Sequence, residues 1–163
     1  MLKSPAIGRT YMVPELETKE EENKLFLRLY SLSRDESRFV WGIAKDGLLI
    51  GMIHEVARED GAIELGWFID PARQRQGFAT EAAEAVIEYL FASGAESITA
   101  GAFEENPASM RVMEKCGMMP TGKTETIAYR GADHRCVFYE IANRKEKNNA
   151  SDIGDGKADI EAV

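Results

Sequence analysis

The segment Gln74-Arg75-Gln76-Gly77-Phe78-Ala79-Thr80-Glu81 constrains this chain more than any other stretch of it. It stands between an apolar, β-rich run, Ala62 to Ile69, and a stretch in which Ala79, Ala82, Ala83, Val86, Tyr89 and Leu90 recur at helical spacing until Gly94. Ser97 to Phe103 follows as a buried strand, so the order strand, helix, strand predicts a crossover between two parallel strands. A helix opening on such a turn presents unpaired N–H groups and the positive end of its dipole. Gly77 permits close backbone approach and Ala79 keeps the first turn small, so a pyrophosphate can sit there. The string alone also fits an ordinary strand-to-helix loop with glycine as its turn residue.

The remaining elements follow from punctuation. Thr18 and Glu21 have the spacing of a capping box, and Leu25, Phe26, Leu29 and Leu32 mark one face of the helix they open. Arg38 to Ala44 and Leu48 to Val56 are strands joined at Lys45-Asp46-Gly47, and a second turn at Glu59-Asp60-Gly61 completes an antiparallel meander. Asn106 caps a short helix with Pro107 at its first position and Gly117 just past its end, where Met118 folds back on Met113. Lys123 to Tyr129 and Arg135 to Ile141 form a closing antiparallel pair turning near Gly131. The fold class is therefore α+β, one domain over residues 1–143, with residues 144–163 expected to be a disordered polar tail.

Composition narrows the partners. A formal net charge of −8 argues against nucleic acid, whose phosphates need a basic surface, and fits a cationic substrate such as an amine. No apolar run approaches the roughly 18 residues that cross a bilayer, and the start MLKSPAIG lacks a signal peptide's apolar core. Cys116 and Cys136 have no metal-ligand spacing, which fits reduced thiols in the cytoplasm.

Glu64 to Ala82 resembles the coenzyme A segment of the GNAT superfamily of N-acetyltransferases, whose pattern (Gln/Arg)-x-x-Gly-x-(Gly/Ala) follows a strand and opens a helix. Asn106-Pro107-Ala108-Ser109 and the residues to Met118 resemble the Asn-x-x-Ser helix of the branch containing the ribosomal-protein alanine acetyltransferases. The resemblance covers roughly Phe39 to Ile141 and implies a mixed, twisted sheet, flanked by helices, that splays between the strand ending at Ile69 and Ser97–Phe103. It further implies acetyl-CoA as cosubstrate and no metal. Pantetheine would bond to the backbone of Trp67, Phe68 and Ile69. The pyrophosphate would meet the N–H groups from Arg75 to Ala79, with Gln74, Gln76, Phe78, Thr80 and Asn106 also at the cofactor. This branch usually begins with a strand and a helix. Only one clear helix precedes Phe39 here, so the first strand is either absent or a degenerate one within Met1 to Val13.

Acyl transfer to an amine needs a base. Glu64 is the candidate, a carboxylate in an otherwise apolar strand where Ile63, Leu65 and Trp67 face one way and Glu64, Gly66 and Phe68 the other; the competing reading is a solvated or ion-paired group. His54, sharing a face with Ile50 and Met52, is the runner-up, although such a histidine is more often structural. Ser109 is the candidate donor to the departing thiolate, and Tyr139, more simply a core residue, its runner-up. Arg111 and Lys115 share one helix face and are most simply solvated, with cofactor phosphates as the alternative. Cys116 is a small residue before the glycine cap and not a nucleophile. The expected function is acetyl transfer from acetyl-CoA to a small-molecule amine or a protein N-terminus; the alternative is an acyl-CoA-binding sensor without catalysis. A homodimer fits the short front end, because a partner copy could cover exposed sheet.

Overall fold

The computed structural model describes residues 4–35 and 37–144; the tail expected beyond Arg144 lies outside the described residues. The chain runs α1 (Pro5–Thr10), α2 (Lys19–Leu32), β1 (Val40–Lys45), β2 (Leu48–Glu59), β3 (Ala62–Ile69), α3 (Phe78–Ala92), β4 (Ser97–Phe103), α4 (Pro107–Lys115), β5 (Met119–Tyr129) and β6 (Ala132–Ala142). The six strands form one mixed sheet in the order β1-β2-β3-β4-β6-β5. The three hairpin turns each place an Asp-Gly or Arg-Gly pair at positive φ, at Asp46-Gly47, Asp60-Gly61 and Arg130-Gly131. Two successive left-handed residues make a turn whose twist matches that of the flanking strands.

Among the described residues β3 and β4 are the one parallel pair, as the crossover requires, and their pairing is short. Ala62 to Leu65 align with Ser97 to Ala100, and there it stops. Beyond that point β3 continues to Ile69 held by β2, and β4 continues to Phe103 held by β6. The two strands part with their outer partners intact, so the sheet opens along one seam only.

Alternation divides the side chains between two faces. Ile63 and Leu65 of β3, with Ile98, Ala100 and Ala102 of β4, meet Ala83, Val86, Ile87 and Leu90 of α3 and Met113 of α4 in the main core. Ile98, Ala100 and Met113 have no exposed surface, and burying side chains of the size of Ile98 and Met113 contributes about 1.5–3 kcal/mol each. α4 ends as the sequence predicts: the Met118 N–H donates to the Met113 carbonyl and the Gly117 N–H to that of Glu114, both at 3.0 Å. On the opposite face a smaller cluster joins Ile7 and Val13 to Phe68, with Tyr11 and Met52 against it.

The front end decides one open alternative and corrects one expectation. Among the described residues no strand precedes β1, and residues 5–10 form a helix instead: Ser4 accepts from the Ala6 N–H, and Pro5 opens the turn. The capping box at Thr18 and Glu21 is present, and Leu25, Leu29 and Leu32 lie half-buried on one stripe. Phe26, expected on that face, is instead 64% exposed, and α2 has no fully buried residue. Periodicity identifies residues that share a side of the helix, but α2 has little surface to pack on.

The N-terminal segment is tied to the far end of the chain. The Tyr129 hydroxyl lies 2.9, 3.2 and 3.1 Å from the carbonyl oxygens of Gly8, Tyr11 and Val13, donates its one proton among them, and accepts from Arg130 Nε at 2.9 Å. A Cβ on Gly8 would come within 2.7–2.8 Å of the Arg130 guanidinium, so any larger residue there would push this flexible side chain aside.

Candidate active site

A cleft of about 900 Å³ opens where β3 leaves β4. Its walls are the free half of β3 (Trp67, Phe68, Ile69), the turn into α3, one side of α4 from its cap to Lys115, and α1 with Tyr11.

The turn is shaped by two left-handed residues, Arg75 at φ 61° and Gly77 at φ 88°. Gln74 fastens it to the strand, its side-chain amide donating to the Ile69 carbonyl at 3.0 Å. Gly77 is the N-cap of α3, so no side chain accepts from the first amides of this helix, whereas Glu81 N–H already bonds the Gly77 carbonyl at 3.0 Å. The N–H groups of the first turn therefore open onto the cleft with a helix dipole behind them, an arrangement suited to phosphate oxygens.

α4 begins differently. Asn106 is buried, and its side-chain oxygen accepts from the Ser109 N–H at 3.3 Å, while its Nδ2 donates to Ser109 Oγ at 2.9 Å. Since Oγ receives that bond, the hydroxyl keeps its own hydrogen to donate elsewhere, and Ser109 lines the cleft.

Charge follows the same division. Arg9, Arg73, Arg75, Arg111 and Lys115 line the cleft, and no Asp or Glu is among the described residues that do so, in a chain whose formal net charge is −8. Arg111 and Lys115, read from the sequence as solvated, are thus part of the cleft wall. Five cations around one cavity favour a polyanion.

Of the residues expected at a cofactor, Trp67, Phe68, Ile69, Gln74, Arg75, Gly77, Phe78, Ala79, Thr80, Asn106 and Ser109 are brought together around this cleft. Gln76 is not; its side chain is exposed beyond the lining. The sequence also gave no sign that Ala6, Ile7, Arg9, Thr10 and Tyr11 form a wall, because six helical residues are too few to show a period.

Glu64 does not line the cleft. It lies half-buried on the face shared with Gly66 and Phe68, beside Thr99, one residue before the last β3–β4 pair. Among the described residues its side chain makes no hydrogen bond or ion pair. Burial raises its pKa above the usual carboxylate range, Lys123 of β5 partly offsetting the shift and Glu125 adding to it. His54 is engaged at both nitrogens, by the Tyr11 hydroxyl at Nε2 and the Glu55 carbonyl at Nδ1, and burial lowers its pKa. Tyr139 belongs to the core, its hydroxyl 3.4 Å from Glu114 Oε1, and does not reach the cleft. Cys116 is half-buried with its Sγ 4.0 Å from the Thr80 carbonyl, and its pKa is pushed up to about 11 by burial and then by Glu84, far from a thiolate. Among the described residues no group of three or more His, Cys, Asp and Glu is placed to hold a metal ion, and no helix is long and apolar enough to cross a membrane.

The comparisons agree with this architecture. Residues 1–119 match the model of the acetyltransferase (GNAT) domain. The uncharacterized N-acetyltransferase YnaD of Bacillus subtilis (strain 168) is 33% identical over 138 residues, covering 83% of this chain and 81% of its own length. A second protein of that organism, the uncharacterized N-acetyltransferase YoaA, is 29% identical over 146 residues, covering 86% of this chain and 82% of its own. Among solved structures, RimL, a ribosomal L7/L12 α-N-protein acetyltransferase in complex with coenzyme A, superposes with a TM-score of 0.69 at 18% identity, covering 77% of this chain and 73% of its own, a likeness of fold.

Proposed function

Because the chain belongs to the GNAT acetyltransferase family, we propose that it transfers an acetyl group from acetyl-CoA to a primary amine by direct attack of the amine nitrogen on the thioester carbon. The observation that carries this reading is the cleft itself. It is a seam between parallel strands, closed at one end by an uncapped helix N-terminus and lined by five cations without a carboxylate.

In this reading the N–H groups from Arg75 to Ala79 hold the pyrophosphate, and Arg73, Arg111 and Lys115 supply the balancing charge. The main chain of Trp67, Phe68 and Ile69, which β4 leaves unpaired, offers ladder groups to the pantetheine amides. A thioester already carries a good leaving group, so the protein has to place the amine, take up its proton and meet the departing thiolate. Ser109 supplies the last function, since Asn106 leaves its hydrogen free. Glu64 supplies the base, directly or through water. It stands at the foot of the opening, without an ion-pair partner among the described residues, with a pKa raised by burial, which makes it a stronger base than an exposed carboxylate.

Glu64→Gln keeps the shape and removes the basicity, so kcat should fall by about 10²–10⁴-fold. Coenzyme A affinity, measured by calorimetry, should stay nearly unchanged. The sign of the pH effect is fixed by the raised pKa: the ionised, basic form is lost as pH falls through it, so the wild-type rate should decline on that acid limb. The variant should lack the limb, and its deficit should shrink as pH rises toward the amine's own pKa. An unchanged pH–rate profile in Glu64→Gln would remove Glu64 from the chemistry. Coenzyme A binding with no transfer to any amine would favour a sensor.

The acceptor is an amine on a small molecule or at a protein N-terminus, chosen at the acceptor side of the opening, where Glu64 and Glu125 face Lys123. Exposed Phe26, Leu27, Tyr30, Leu48 and Leu49 are apolar surface that a second copy would cover in a homodimer. Two unpaired cysteines and an acetyl-CoA requirement suit the cytoplasm.

A further inference from the structure

Tyr11 lines the cleft, and its hydroxyl bonds to His54 Nε2. The direction of that bond follows from the other side of the imidazole. His54 Nδ1 lies 3.0 Å from the Glu55 carbonyl oxygen, which can only accept, so Nδ1 carries the ring hydrogen. Nε2 is then the bare nitrogen and the Tyr11 hydroxyl must donate to it. Burial keeps both partners neutral, lowering the pKa of His54 and raising that of Tyr11. With its one proton committed, Tyr11 Oη has lone pairs to offer and nothing to donate.

The pair sits where β3 and β4 part. A Cβ on Gly66 would come within 2.9 Å of His54 Nε2, so the ring lies directly over this glycine. Gly66 is the first β3 residue past the last β3–β4 pair, and it follows Glu64 on the same face at a spacing of about 7 Å. The Tyr11 ring meets Phe68 edge-on at 5.0 Å, which fixes its tilt.

We infer that Tyr11 Oη accepts a hydrogen bond from the N–H of the attacking amine, and that His54 is the positioning residue that makes Tyr11 a pure acceptor. The inference rests on reading the cleft as an acetyl-CoA site. With the pyrophosphate on the Gly77 turn, the pantetheine arm runs along β3 from Ile69 toward Gly66, and the thioester end arrives beneath Tyr11. An amine approaching there has the Glu64 carboxylate on one side and Tyr11 Oη on the other. Both accept N–H bonds, so the nitrogen lone pair is left facing the thioester carbon.

The test is steady-state kinetics with spermidine, simple primary monoamines and a tripeptide bearing a free alanine N-terminus, together with calorimetry for coenzyme A. Tyr11→Phe keeps the ring and its packing. It should lower kcat/KM for the amine by about ten- to a hundredfold, mainly through the amine's KM, with less than about a twofold change in coenzyme A affinity. His54→Leu, which frees the Tyr11 proton, should behave like Tyr11→Phe. In His54→Gln the amide oxygen can still accept from Tyr11, and this variant should recover most of what His54→Leu loses. Unchanged amine kinetics in Tyr11→Phe, or equal losses for amine and coenzyme A, would overturn the inference alone. Failure of the unaltered protein to bind coenzyme A, or to acetylate any of these amines, would overturn it together with the functional reading.

Discussion

Gly77 holds a φ of 88°, and no atom lies within 4 Å of where its Cβ would stand. A side chain there would not clash with the protein; it would force a left-handed conformation on a residue with a Cβ, at a cost of about 1–2 kcal/mol, and fill the space in front of the α3 amides. Gly77→Val should therefore fold with a modestly lower Tm and lose most of its coenzyme A affinity. Gln76→Ala, at a side chain outside the lining, should bind almost as the wild type does. Equal small losses in the two variants, read by calorimetry, would place the pyrophosphate elsewhere. Gly77 was legible in the sequence because a turn that needs positive φ leaves a mark in residue type. The Tyr11–His54 bond was not, because 43 positions separate its partners and neither is unusual where it stands.

At the scale of elements, the cap of α4 is bonded to the very hydroxyl proposed as the donor to the thiolate. Asn106 closes the helix by accepting from Ser109 and orients the Ser109 hydroxyl through its other end. Asn106→Ala should cost about 1 kcal/mol and lower Tm by about 2–4 °C in a domain of this size. Its kcat should also fall, mimicking the activity loss of Ser109→Ala, which keeps the cap and should leave Tm nearly unchanged; a Tm shift without any loss of activity would reduce Asn106 to a cap. Elements marked by special backbone were readable in advance: three hairpins by glycine turns, α4 by Asn, Pro and Gly, the parallel pair by its crossover. β5 and β6 begin earlier than predicted, at Met119 and Ala132, because pairing extends a strand past the run of apolar residues that announces it. α1 and the exposure of Phe26 were hidden for a related reason. A helix of 6 residues has no period to read, and a period says nothing about whether another surface will meet it.

For the molecule as a whole, the cleft depends on a contact between its two ends. One wall is α1 and Tyr11, and that wall is held by the Tyr129 hydroxyl against the carbonyls of Gly8, Tyr11 and Val13. Tyr129→Phe keeps the ring contacts with Phe103 and His134 but removes the one hydrogen that these carbonyls share, a loss of about 1–3 kcal/mol where the group left without it is shielded from water. We expect a raised KM for acetyl-CoA along with a lower Tm, and faster hydrogen exchange confined to residues 5–13; a lower Tm with unchanged KM would mean that α1 is no part of the site. The same tie sets an order of events at the ribosome. The first wall to leave the exit tunnel can meet His54 and Phe68 early, but its last anchor waits until Tyr129 has been made, more than 115 residues later. A nascent chain that already holds the Gly77 turn and the parallel pair still lacks that tie, so this wall of the cleft is completed late, with the final hairpin.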